Sequence, residues 1–209
     1  MKKFLLVDDH HVVRSGIREI LPELYKPVEI DEAADETNAL EKLKHNQYDL
    51  IMLDIQLPKG YSFALAEFLF IKYPAIRVLI FSTNSESMYA KRFLKAGAKG
   101  FLSKQAPLEE IKKAVNLVLN GRRYVSEALG RMLAGESFNG NKNNPFDKLS
   151  KREFEIVLKL LSGNSVKEIS RSLKIEASTI GAHKSNLFCK LGITNILQLK
   201  ELAPDHEIH

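Results

Sequence analysis

The chain has 209 residues, 44% of them apolar and 27% charged, with no apolar run near the ~18–20 residues that a membrane-spanning helix needs. Its single cysteine, Cys189, excludes an internal disulfide, and the opening "MKKFLLVDDHH" is too short in its apolar part for a signal peptide, so the expected setting is the cytoplasm. The net charge of +5 is unevenly placed: Lys148 to Pro204 holds ten Lys or Arg against five Asp or Glu, and the rest is balanced, which points to a neutral module joined to a basic one with a polyanionic partner.

In chain order, "KFLLVDD" predicts a buried strand and His11 to Leu24 a helix with apolar residues at helical spacing. "VEIDEAAD" gives a second strand and the Ala39, Leu40, Leu43 stretch a second helix. "YDLIMLDI" is a strand, "FALAEFLFIKY" a helix stopped by Pro74, and "IRVLIFS" a strand. "SMYAKRFLKAGAKG" is a helix ending in glycine, "GFLSK" a short strand, and "PLEEIKKAVNLVLNG" a helix with proline at its start and Gly121 at its end. Five βα units in about 120 residues predict a doubly wound five-stranded parallel sheet with helices on both faces. Next come a short helix at "YVSEALGRML" and a Gly/Asn/Ser/Pro-rich linker over about 135–147 with little that could form a core. The remainder predicts an all-α module.

In open parallel sheets ligands collect beyond the carboxyl ends of the strands. Asp8 and Asp9 follow the first strand, Asp54 the third, Ser82 the fourth and Lys104 the fifth. Each alone reads as an ordinary turn or cap residue. Together, three carboxylates need a cation to hold them, and Mg2+ suits a few carboxylates plus water and phosphate oxygens. Adding an ammonium and a hydroxyl gives a set suited to phosphoryl transfer onto a carboxylate. An enzyme using Asp54 as a covalent nucleophile is a rival reading, but Gln56 stands where a general acid would be useful. His10 and His11 read as surface residues at a helix start, because Mg2+ prefers oxygen.

The "DD" after the first strand, "LDIQLP", Ser82 and "GAKGFLSKQAP" together resemble the response-regulator receiver domain of bacterial two-component signalling, with the flavodoxin-like fold. The resemblance covers residues 1–121. It implies Asp54 as phosphoacceptor, Asp8 and Asp9 holding Mg2+ with it, Lys104 and Ser82 on the phosphoryl group, Phe101 as the aromatic switch residue, and a histidine kinase as donor. Such a protein is not an enzyme beyond Mg-dependent self-phosphorylation and autodephosphorylation of Asp54. Ser62 stands eight residues after Asp54, where glycine is frequent, with Gly60 nearby, so a different loop shape is expected there.

After a connecting segment at 122–147, residues 148–204 predict four helices. Ser150 and Glu153 form a capping-box pattern, and two short helices joined by "KIEAS" suggest helix-turn-helix. "VKEIS", "ST" with Ile180, "HKSNL" and "KLGI" resemble the LuxR-type domain of NarL/FixJ regulators, which implies a third, recognition helix and binding of double-stranded DNA as a homodimer when active. Thr179, His183, Lys184 and Ser185 are the expected contacts, with Lys167 and Lys190 as phosphate candidates. Gly181 and Ala182 depart from larger residues common there. Leu197 and Leu199 read as core, Cys189 as a partly buried thiol, and 205–209 as a tail.

Overall fold

The computed structural model describes residues 1–58, 60–138 and 144–204. Part of the expected linker, 139–143, and the whole tail at 205–209 lie outside the described residues. The chain divides into two compact units, Met1–Gly130 and Arg131–His209.

The first unit alternates strand and helix. In order these are β1 (Lys2–Val7), α1 (His11–Leu24), β2 (Val28–Ala33), α2 (Glu36–His45), β3 (Leu50–Leu53), β4 (Gln56–Leu57), β5 (Gly60–Tyr61), α3 (Phe63–Lys72), β6 (Arg77–Ser82), α4 (Glu86–Ala96), β7 (Gly100–Ser103) and α5 (Leu108–Leu119). β1, β2, β3, β6 and β7 form the one parallel sheet that the alternation predicted, in the order β2-β1-β3-β6-β7. The central strands β1, β3 and β6 are almost continuously apolar because both faces are covered. On one face Phe4, Leu6, Leu50, Met52, Leu79, Phe81 and Leu102 meet Ile17 and Leu21 of α1 and Ile111, Val115 and Val118 of α5. The alternate residues, among them Leu5, Val7, Ile51, Leu53, Ile80 and Phe101, are buried on the other face. Each large side chain so buried contributes about 1.5–3 kcal/mol.

The exit from α5 is tied back to the sheet. The Tyr124 amide donates to the Lys99 carbonyl at 2.8 Å, and Tyr124 bridges Gly100 of β7 in parallel. A Cβ on Gly100 would lie 2.9 Å from Leu79 Cδ1 and 3.0 Å from the Tyr124 carbonyl oxygen, so the approach depends on glycine. Ser126 accepts the Leu129 amide at 3.0 Å at the start of α6 (Glu127–Phe138). That helix runs into the stretch the composition had assigned to the linker.

The second unit has a 3-10 turn, η1 (Pro145–Lys148), then α7 (Lys151–Leu161), α8 (Val166–Leu173), α9 (Ala177–Leu191) and α10 (Ile196–Leu202). The turn corrects the linker assignment at its far end: Phe146 has no exposed surface and belongs to this core with Phe154, Val157, Ile169, Ile180, Leu187 and Leu199. Asn144 starts the turn by accepting the Phe146 amide at 3.1 Å. Capping boxes begin both α7 (Ser150, Glu153) and α8 (Ser165, Glu168). Glycines with positive φ follow α7 and α9, at Gly163 and Gly192. No helix among the described residues is long and apolar enough to cross a membrane.

Candidate functional site

Strand register builds the first site. Val7 is level with Leu53, so Asp8 and Asp54 are the next residues beyond two adjacent strand ends. The Asp54 amide continues the ladder by donating to the Val7 carbonyl at 2.8 Å. Ser82 is level with Ser103 of β7, which places Lys104 beside it, and the Lys104 amide donates to the Ser82 carbonyl at 2.9 Å.

Asp54 is 3% exposed. Its Oδ1 accepts the Ser82 hydroxyl at 2.8 Å, and its Oδ2 accepts the Lys104 Nζ at 2.7 Å. The same ammonium lies 2.6 Å from Asp8 Oδ2, so one buried lysine spans two buried carboxylates. Burial pushes the Asp54 carboxyl above its ordinary value and the Asp8 charge adds to this; Lys104 and Ser82 oppose the shift without cancelling it. Burial pulls the Lys104 ammonium down, but Asp54 and Asp8 outweigh that and hold its pKa above the usual lysine value. Lys104 is therefore charged at neutral pH.

Asp9 sits at the rim, with its side chain 35% exposed. Ligating atoms of Asp8, Asp9, His10 and Asp54 all lie within 4.8 Å of one another. Residue type alone predicts His10 as a surface residue at a helix start. Its ring is exposed, yet Nδ1 lies 2.8 Å from Asp9 Oδ1 and 3.2 Å from Asp8 Oδ1. The cause is local: the His10 amide donates to Asp8 Oδ1 at 2.9 Å, and this turn brings the ring back over the acids. The donor set otherwise consists of carboxylate oxygens gathered at one point, which fits a hard divalent cation. His11 is exposed and makes a 3.5 Å contact with Ser15 instead.

The loop after Asp54 has its own form. β4 and β5 make a small antiparallel hairpin that the sequence did not suggest. Ser62 is buried, with an ordinary φ of −77°, and its hydroxyl donates to the Asp54 carbonyl at 2.7 Å. Here a side-chain hydrogen bond supports the loop at the position where glycine is frequent. Phe101 is fully buried on β7.

In the second unit α8, a tight turn and α9 form the helix-turn-helix. Lys174 takes a left-handed conformation at the end of α8, and the Ser170 hydroxyl donates to the Ile175 carbonyl at 2.6 Å across the turn. Ile180, Leu187 and Leu191 bury one side of α9. Ser178, Thr179, Ala182, Ser185 and Asn186 are exposed on it, and His183 and Lys184 are half-buried. Lys167 is exposed on α8. Lys184 Nζ lies 5.3 Å from the centre of the Phe188 ring, a cation–π contact, and the Ser185 hydroxyl donates to the Gly181 carbonyl at 3.2 Å.

Three sequence expectations change here. Lys190 pairs with Glu153 at 2.7 Å, joining α9 to α7, so a fold contact competes with its use as a phosphate ligand. Cys189 is exposed, because it falls on the side of α9 away from Ile180 and Leu187. Leu197 is 66% exposed while Leu199 is fully buried, since α10 is amphipathic and turns only Leu199 inward.

Residues 4–116 match the family model "Response regulator receiver domain", and residues 147–203 match "Bacterial regulatory proteins, luxR family". The chain belongs to the response regulators that carry a luxR-family output domain. Response regulator GacA of Pseudomonas syringae pv. syringae is 32% identical over 99% of this chain and 97% of its own length. Fimbriae Z protein of Salmonella typhimurium is 34% identical over 98% and 97%, and response regulator UvrY of Escherichia coli K12 is 30% identical over 99% and 95%. The fold matches RcsB of Salmonella enterica serovar Typhimurium, solved on promoter rprA with a phosphomimetic, with a TM-score of 0.75 at 23% identity over 97% and 98% of the two chains. This response regulator thus has the NarL/FixJ plan of a receiver followed by a DNA-binding helix-turn-helix domain, the plan of a transcription regulator.

Proposed function

We propose that this response regulator takes a phosphoryl group on Asp54 from a phosphohistidine of a histidine kinase, and that this modification controls binding of its α9 helix to operator DNA. An Asp54 carboxylate oxygen attacks phosphorus, the P–N bond of the donor breaks, and the departing imidazole keeps the electron pair. The observation that carries the reading is Asp54, buried at a strand end with Ser82 on one oxygen and the Lys104 ammonium on the other. Asp8, Asp9 and Asp54 would hold Mg2+, which supplies positive charge against the acids and the phosphoryl oxygens. Lys104 neutralises phosphoryl charge from the buried side, and Ser82 donates its hydroxyl to a phosphoryl oxygen once Asp54 carries the acyl phosphate. Phe101, on the strand that leads to Lys104, is the aromatic whose packing responds. Self-phosphorylation from small phosphodonors and slow autodephosphorylation follow from the same chemistry.

Thr179, His183, Lys184 and Ser185 on α9 face the DNA, with Lys167 on α8 against its backbone. Lys190 acts there only when its pairing with Glu153 is broken. The active form is a homodimer working in the cytoplasm. Labelling with radioactive acetyl phosphate in Mg2+ tests the acceptor: wild type takes up close to one phosphoryl group per chain and Asp54→Asn none. Equal labelling of the two contradicts the assignment.

A further inference from the structure

Arg14 is the strongest charged group beside the acid pocket that the proposed chemistry leaves without a role. It lies one turn into α1, with its side chain only 11% exposed, and it borders the same small cavity as Asp8 and Asp54. A guanidinium buried to that degree keeps its charge and must find acceptors. Its Nη1 donates to the backbone carbonyl of Asp8 at 2.6 Å, and its Nε donates to Glu32 Oε2 at 2.9 Å. Glu32 sits near the end of β2, where Arg18 also binds it, at 3.0 Å. Burial pushes the Glu32 carboxyl up, but Arg14 and Arg18 outweigh that and hold it below its ordinary value.

The contact falls at a sensitive point. The Asp8 carbonyl belongs to the peptide that leads into Asp9. The amide on the other side of Asp8 donates to the Ala33 carbonyl at 3.0 Å. Asp8 is thereby held at both of its peptides, by β2 directly and by β2 through Glu32 and Arg14. Fixing the Asp8–Asp9 peptide plane fixes the direction in which Asp9 leaves the backbone. Asp9 is the most exposed of the three acids, and β1 ends before it, so sheet pairing does not hold it. We propose that Arg14 is a positioning residue that sets the Asp8–Asp9 peptide for cation binding, with Glu32 as its anchor. This rests on the reading of Asp8, Asp9 and Asp54 as a Mg2+ site. Only the planar fork of arginine reaches both acceptors; a lysine ammonium reaches one.

The test is titration of the full chain with magnesium chloride by calorimetry, paired with acetyl phosphate labelling rates across the same Mg2+ range. Arg14→Lys raises the half-saturating Mg2+ concentration by about tenfold, the scale on which supporting partners of metal ligands act. Its labelling rate at saturating Mg2+ stays within twofold of wild type. Glu32→Gln shifts half-saturation in the same direction by less. Arg18→Gln, which touches Glu32 but not Asp8, leaves it unchanged. A lowered melting temperature in Arg14→Lys with half-saturation within twofold of wild type means a structural role only and overturns the proposal. Saturable binding in wild type that is lost in Asp9→Asn separates this failure from failure of the Mg2+ site itself. A wild type with no saturable Mg2+ binding overturns both.

Discussion

At the scale of single residues, α9 carries a glycine without a packing role and two lysines of unlike use. Gly181 lies mid-helix in α9, and a Cβ built there meets nothing within 4 Å. Its backbone freedom is therefore a cost without a packing reason. Gly181→Ala raises the unfolding free energy in urea by about 0.5–1 kcal/mol; an unchanged midpoint contradicts this. Lys184 and Lys190, by contrast, look alike in sequence and differ in the structure. Lys190 is committed to Glu153, while Lys184 rests on an aromatic ring near the exposed side of α9. Lys184→Gln lowers the salt slope of DNA affinity by about one counterion, and Lys190→Gln leaves it nearly unchanged. Equal slopes for the two variants would remove the distinction. The gathering of Asp54, Ser82 and Lys104 was legible from their places: Ser82 closes β6, and Asp54 and Lys104 directly follow β3 and β7. Pairings across space were not, since nothing in "CKLGI" names Glu153 as the partner of Lys190.

At the scale of elements, the helices of the output unit depend on their first turns. Glu153 illustrates a coupling between cap and tertiary contact, because it accepts the Ser150 amide and also holds Lys190. Burial raises its carboxyl, but Lys190 and Ser150 outweigh that and hold its pKa below the ordinary glutamate value. A depressed folded value means the stabilisation is full above the unfolded pKa, about 4.3, and is lost as pH falls through the folded pKa. Glu153→Gln therefore destabilises the output unit at pH 7 and flattens its stability curve below pH 4.5; an equal loss at all pH values contradicts the assignment. Ser165→Ala removes the second cap, on α8, and costs about 1 kcal/mol. The Ser165–Glu168 pair repeats the spacing of the cap at Ser150. The α7 to α10 helices and the five-stranded sheet followed from periodicity and stop residues. The β4–β5 hairpin did not, because two-residue strands carry no pattern. Phe146 was hidden by its polar neighbours, which made a buried 3-10 turn read as linker.

At the scale of the whole molecule, charge divides the chain into a balanced stretch and a basic last quarter from Lys148, while the two compact units divide earlier, between Gly130 and Arg131. In the proposed function the receiver and the output domain are linked through one event at Asp54. Phosphorylation there would add a dianion where Ser82 and Lys104 now hold a carboxylate, and a receiver with two packings would respond by shifting its population. The most direct measurement is the affinity of the full chain for its operator at fixed salt, with and without acetyl phosphate and Mg2+, for wild type and Asp54→Asn. If Asp54 is the switch, phosphodonor changes wild-type affinity by at least about fivefold, the lower end of ordinary coupling between sites, and leaves Asp54→Asn unchanged. The same affinity in all four conditions, or an equal change in both proteins, would contradict it.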